Sequence, residues 1–210
     1  MPASGAKVIF ESTGNICTNN YDFTYLTTIF KVDDAFTSTK YFNLYDGGTT
    51  ASVVDLTTTR QSIPMFWIKG NKGLVKGDYP AEVAITQGLP DESAATTTNF
   101  YPAAITGWVK MSKSGSGYQK IGSTTAVAYG SYGDLEVSDG TLELMSGTTW
   151  LNGTNFIARG DGQLKLTATD KPQVGPQAVF HFAESGKVEI PSGVTVSVAA
   201  AFVEGAQVGA

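Results

Sequence analysis

Glycine recurs at positions 133, 140, 147, 153 and 160, close to every seventh residue, and between these glycines apolar and polar side chains alternate. The apolar sets are Leu135/Val137, Leu142/Leu144, Leu164/Leu166, Val188/Ile190 and Val194/Val196/Val198. A period of two places each set on one face of a strand. Runs this short fit an ordinary sandwich less well, since its turns normally fall every 8–12 residues. Two architectures accommodate the pattern. In an antiparallel arrangement, Asp139-Gly140 and Asn152-Gly153 are tight hairpin turns with positive φ. In a solenoid, each run is one side of a coil and glycine turns the corner. Many short segments of equal length favour the solenoid, with an antiparallel β-sandwich as the alternative.

Composition agrees with an all-β chain. Among 210 residues there are 24 Gly, 8 Pro, 26 Thr and 16 Ser, and charged residues are 16%, against a usual share of about 25%. No segment carries a convincing 3.6-residue apolar stripe. The texture changes near Gly133. Residues 1–132 form an aromatic-rich β region holding 18 of the 23 aromatics, and residues 133–210 form the regular repeats, whose end at Val208-Gly209-Ala210 reads as cut from a longer chain. The first region reads either as the N-terminal part of the same solenoid or as a separate sandwich. Within it, Trp108–Ser112 and Gly117–Ile121 flank Gly115-Ser116-Gly117 and suggest a hairpin, and residues 86–99 suggest a long exposed loop.

The run from Gly140 to Ala168 (GTLELMSGTTWLNGTNFIARGDGQLKLTA), followed by Gly186 to Val208, resembles bacterial, surface-exported, right-handed parallel β-helices of the autotransporter-passenger-like kind. The resemblance covers about residues 134–208 and rests on glycine, alternation and small hydroxyl residues. It implies a right-handed parallel β-helix and an extracellular or cell-surface location, and no particular activity. A leader peptide is absent from the first residues, Met1 to Lys7.

Several chemistries lack their residues. The net charge of −5 and the scattered 14 basic residues disfavour nucleic acid. Lys69, Lys72 and Lys76 read as turn residues. No apolar stretch is long enough to insert in a membrane as a helix. The single cysteine, Cys17, and the single histidine, His181, lie at opposite ends of the chain, so neither a thiol–imidazole pair nor a zinc site follows. His181 sits between Phe180 and Phe182 and is expected on a polar outer face. The Asp-Gly pairs at Asp46, Asp139 and Asp161 are explained by turn geometry, so no metal or other cofactor is expected. The doublets Asp33-Asp34 and Asp91-Glu92 point to opposite faces of a strand and do not pair. Glu136 and Glu143 alternate with the buried set and are expected outward on a solvated face, which is favoured over a carboxylate ladder on neighbouring turns. No catalytic set is assigned.

Carbohydrate recognition is harder to dismiss, because sugars stack their apolar faces on aromatic rings and bond through hydroxyls to polar side chains, although core packing accounts for most of the aromatics. Alternation places Tyr41, Asn43 and Tyr45 on one face of a strand, and Tyr101 follows Asn99-Phe100. These four are the candidate ligand-binding residues, for a polysaccharide or cell-surface glycan. The functional expectation is an extracellular structural or adhesive module. The alternatives are a carbohydrate-active β-helix enzyme, which requires acids converging in a groove beside Lys or Arg, and a fragment of a virion fibre or tailspike.

Overall fold

The computed structural model describes residues 6–16, 21–24, 26–38, 42–45, 52–63, 66–69, 73–86, 99–100 and 102–208. They form a parallel β-solenoid, and no helix occurs among them. The chain lays down short strands in sets of three. The first set is β1 (Lys7–Phe10), β2 (Asn15–Ile16) and β3 (Tyr21–Thr24), and the second is β4 (Thr27–Phe30), β5 (Phe36–Ser38) and β6 (Phe42–Tyr45). Next come β7 (Val53–Asp55), β8 (Arg60–Ile63) and β9 (Phe66–Lys69), then β10 (Leu74–Gly77), β11 (Glu82–Ile85) and β12 (Asn99–Phe100). The fifth set is β13 (Ala104–Gly107), β14 (Lys110–Lys113) and β15 (Tyr118–Ile121), and the sixth is β16 (Val127–Ala128), β17 (Leu135–Val137) and β18 (Thr141–Leu144). After β19 (Thr148–Thr149), β20 (Asn155–Ala158) and β21 (Gln163–Leu166), the chain ends with β22 (Val179–Phe182), β23 (Lys187–Glu189), β24 (Ala200–Val203) and β25 (Ala206–Gln207).

Strands pair with their counterparts in neighbouring coils, in three long ladders and three short ones, β2-β5, β3-β6-β9 and β16-β19. One sheet runs β1-β4-β7-β10-β13. A second runs β8-β11-β14-β17-β20-β22-β24, and a third runs β12-β15-β18-β21-β23. All these pairings are parallel, and only β25 lies antiparallel, against β24. The second sheet includes strands on both sides of Gly133. The hairpin expected around Gly115–Gly117 is not formed. β14 pairs with β11 and β17, whereas β15 pairs with β12 and β18, so the turn is a corner between two sheets. The run Val194/Val196/Val198 alternates in exposure but forms no strand.

The core is a set of inward columns. Val83, Met111, Leu135, Phe156 and Phe180 stand in register in the second sheet. Leu142 and Leu164, with Leu144 and Leu166, do the same in the third. All of these are buried. Removing each from water contributes about 1.5–3 kcal/mol, which offsets the entropy of ordering a coil whose segments make few contacts within themselves. Corners are tight because the backbone of the next coil lies against them. At Gly140, with φ of 63°, a Cβ would stand 2.3 Å from the Gly117 carbonyl oxygen, so no larger residue fits.

Corners also leave backbone groups that cannot join a ladder, and buried polar side chains take them up. Gln173 accepts from the amides of Thr167 (2.6 Å) and Ala168 (2.7 Å) and donates to the carbonyls of Leu144, Met145 and Thr148 at 2.9, 2.8 and 3.1 Å. Gln61 accepts from Ala35 N–H and donates to Val32 O in the coil below. Lys113 is the largest departure from the apolar pattern. It lies in the inward column between Ile85 and Val137 and is 1% exposed. Its ammonium donates to the carbonyls of Ser114 (2.8 Å), Gly115 (2.5 Å) and Asp139 (3.3 Å).

Candidate functional site: a charged groove and an aromatic rim on the second sheet

Outward positions of the second sheet fall into columns, as the inward ones do. Arg60, Glu82 and Lys110 share one column, and Ser112, Glu136, Ile157, His181 and Phe202 share the next. Arg159, one position beyond Ala158 at the end of β20, completes a slanting row of five charges on five successive coils, with signs alternating. Unlike charges on adjacent strands attract and like charges repel, so this order favours correct stacking.

The row is closely bonded. Glu82 lies 3.5 Å from Arg60 Nε and 3.8 Å from Lys110 Nζ, and it accepts a 2.5 Å bond from the Ser112 hydroxyl. Glu136 receives Lys110 Nζ at 2.6 Å and Arg159 Nε at 2.7 Å, with a further close contact from Arg159 Nη2. Burial alone would raise the Glu136 carboxyl, but the hydrogen bonds and charges of Lys110 and Arg159 outweigh it and hold the group below its ordinary value. These side chains enclose a groove of about 310 Å³. Thr86, Ser112, Ser114, Ser138 and Lys113 also line it, with the Ser138 hydroxyl donating to the Lys113 carbonyl at 3.2 Å.

An aromatic ridge, exposed at Tyr79 and Tyr132 and half-buried at Trp108, stands beside the charged face. Trp108 N–H donates to Gly77 O, and Tyr132 N–H donates to Gly107 O, so the two residues stand one above the other on successive coils. Tyr79, from the coil before, packs edge-on to Trp108 at 4.8 Å. Tyr79 is 73% exposed and Tyr132 52% exposed. Trp108 precedes Lys110 by two residues and Tyr132 precedes Asp134 by two, so the ridge borders the charged face. Beyond the row, Asp134 accepts from Asn155 Nδ2 at 2.9 Å, and Asn155 Oδ1 lies 3.2 Å from His181 Nε2. The His181 ring stacks on Phe202 at 5.2 Å. His181 therefore stands on the outer face, as its alternation with Phe180 and Phe182 indicates.

Of the candidate glycan-binding residues, Asn43 and Tyr45 belong to β6, opposite Trp67 and Lys69 of β9. Tyr41 and Tyr101 lie outside the described residues, as do Cys17, Asp46, Lys72, Asp91 and Glu92. Lys76 is paired with Asp55 at 2.9 Å. Glu136 and Glu143 do not form a ladder. They belong to β17 in the second sheet and β18 in the third, and Glu143 instead accepts from the Tyr118 hydroxyl. A seven-residue spacing carries the chain around a corner rather than up one coil. Among the described residues no cluster of three or more His, Cys, Asp or Glu is placed to hold a metal ion, and no helix is long and apolar enough to cross a membrane.

Sequence alone does not single out Tyr79, Trp108 and Tyr132. Their spacings of 29 and 24 residues carry no periodic signal, and only the coil length aligns them. Comparison with known proteins returns no matching family model, no matching curated protein and no matching solved structure. The architecture is a β-solenoid, and the comparisons attach no family to it.

Proposed function

We propose that the chain is an extracellular structural and adhesive β-solenoid module that contacts glycan along its second sheet. The observation that carries the reading is the ridge of exposed Tyr79 and Tyr132 and half-buried Trp108 near a groove lined by serines, a threonine and charges. Aromatic rings offer apolar platforms to sugar C–H faces, and Ser112, Ser114, Ser138 and Thr86 offer partners to sugar hydroxyls. Stacked coils make the support stiff, so platforms on successive coils keep a fixed spacing for a polymer. Glu136 does not have the raised carboxyl that the general acid of a glycosidase needs.

The test is titration of the chain with a panel of neutral and acidic polysaccharides, followed by intrinsic tryptophan fluorescence and calorimetry. Binding to at least one member is expected, with Trp108→Ala and Tyr132→Ala each weakening it about tenfold while the circular dichroism spectrum stays unchanged. Failure to bind any member, or binding indifferent to both substitutions, removes the reading.

A further inference from the structure

We infer that the groove selects acidic glycans, with uronate carboxylates on Arg60, Lys110 and Arg159 while the sugar faces rest on the aromatic rim. This rests on the glycan reading above and names the class of polymer.

The vertical order of the charges is the first argument. The Arg60 and Arg159 side chains are 50% and 57% exposed, whereas those of Glu82 and Glu136 are 19% and 8% exposed. The two guanidiniums therefore form the water-facing layer, and the carboxylates lie beneath them as counter-charges, with the Lys110 side chain, 25% exposed, between. In a chain of net charge −5, three bases against two acids make this groove a local positive excess. A guanidinium carries five N–H donors. Glu136 Oε1 engages only Nε and one terminal nitrogen of Arg159. A second carboxylate has donors left to meet, and charge-assisted bonds of this kind are the strong ones.

The second argument is placement. Bases occur on the coils of β8, β14 and β20, and acids on those of β11 and β17. Arg60 and Lys110 share one column, whereas Arg159 stands four positions further along its strand, so the row crosses the sheet obliquely. Lys110 Nζ and Arg159 Nε converge on the one Glu136 carboxylate, at 2.6 and 2.7 Å. A polyuronate lying along this slant brings its carboxylates to all three bases and its neutral groups to Ser112 and the rim. A neutral polymer satisfies only the second half of this arrangement.

The experiment compares one polyuronate with the same polymer after its carboxyls are reduced to alcohols. At low salt the polyuronate is expected to bind about tenfold more tightly, and the margin should shrink when the salt is raised well above physiological strength, because exposed charges are then screened. Arg159→Gln and Arg60→Gln should each weaken polyuronate binding about tenfold and leave the reduced polymer within about twofold, since each removes a charge-assisted contact. Thermal melting and circular dichroism confirm that both variants are folded. Equal or tighter binding of the reduced polymer overturns the inference and leaves the glycan reading standing. If neither polymer nor any other member of the panel binds, the glycan reading falls as well.

Discussion

Lys113 occupies in β14 the inward position that Val137 occupies one coil later in β17, and its ammonium reaches past Val137 to the Asp139 carbonyl at the following corner. One long side chain thus joins two corners from inside the core. An apolar residue here would leave the carbonyls of Ser114, Gly115 and Asp139 short of a donor. Lys113→Met is therefore expected to lower stability by about 2–4 kcal/mol in chemical denaturation, although it restores the apolar pattern of its column.

The same residue sets an alkaline response. Burial pushes the Lys113 ammonium from 10.5 down to about 8, against the pull of the Asp139 carboxylate. Between those values the unfolded chain holds more protons than the folded one, so this group makes stability rise with pH from about 8 towards 10.5. Denaturation midpoints across that window should rise in the parent chain relative to Lys113→Met. A parallel pair of curves would refute the assignment.

Glu136 sets the acid response, with the opposite sign. Its folded carboxyl lies below its ordinary value, so its contribution is complete above the ordinary carboxylate range and is lost as pH falls through the lower folded value. Glu136→Gln should cost about 1–3 kcal/mol at neutral pH and show a shallower loss of stability on acidification. Urea titrations from neutral to acid pH measure both.

Gln173 bonds to five backbone groups at one corner, two amides and three carbonyls, and the carbonyls of Leu144 and Met145 also accept from Thr167 Oγ1 and Thr148 N–H. Gln173→Ala should cost about 3 kcal/mol. Hydrogen exchange should locate the damage, with protection lost first at the Thr167 and Ala168 amides and retained in β8, β11 and β14.

Corner glycines differ in what surrounds them. A Cβ added at Gly140 would have backbone oxygen within 2.5 Å, whereas one added at Gly193, also at positive φ, would meet nothing within 4 Å. Gly140→Ala should cost about 3 kcal/mol and Gly193→Ala about 1 kcal/mol, the second value reflecting backbone conformation alone. Paired thermal melts of the two variants check the difference.

The alternation at Leu142/Leu144 and Leu164/Leu166 makes the stacked short strands legible in the sequence, because an inward column requires an apolar residue at the same phase on each coil. Lys113 and Gln61 break that phase, and Gln173 lies between strands. They are invisible to a hydropathy pattern because their partners are corner carbonyls and amides, several of them contributed by another coil. The groove is hidden for the same reason. Arg60, Glu82, Lys110, Glu136 and Arg159 are spread over 100 residues, and the coils joining them differ in length. Tyr41, Asn43 and Tyr45 stand out in the sequence because alternation along one strand is visible there, whereas alignment across strands is not.

Among the described residues, β24 and β25 are the one pair of consecutive strands that bond to each other. Everywhere else a coil is held by the coils above and below it and hardly at all by itself. Under tension applied along the axis, such a body yields as thread leaves a spool. One loop lifts from the end, gives up its slack and exposes the next, while the remainder keeps its shape.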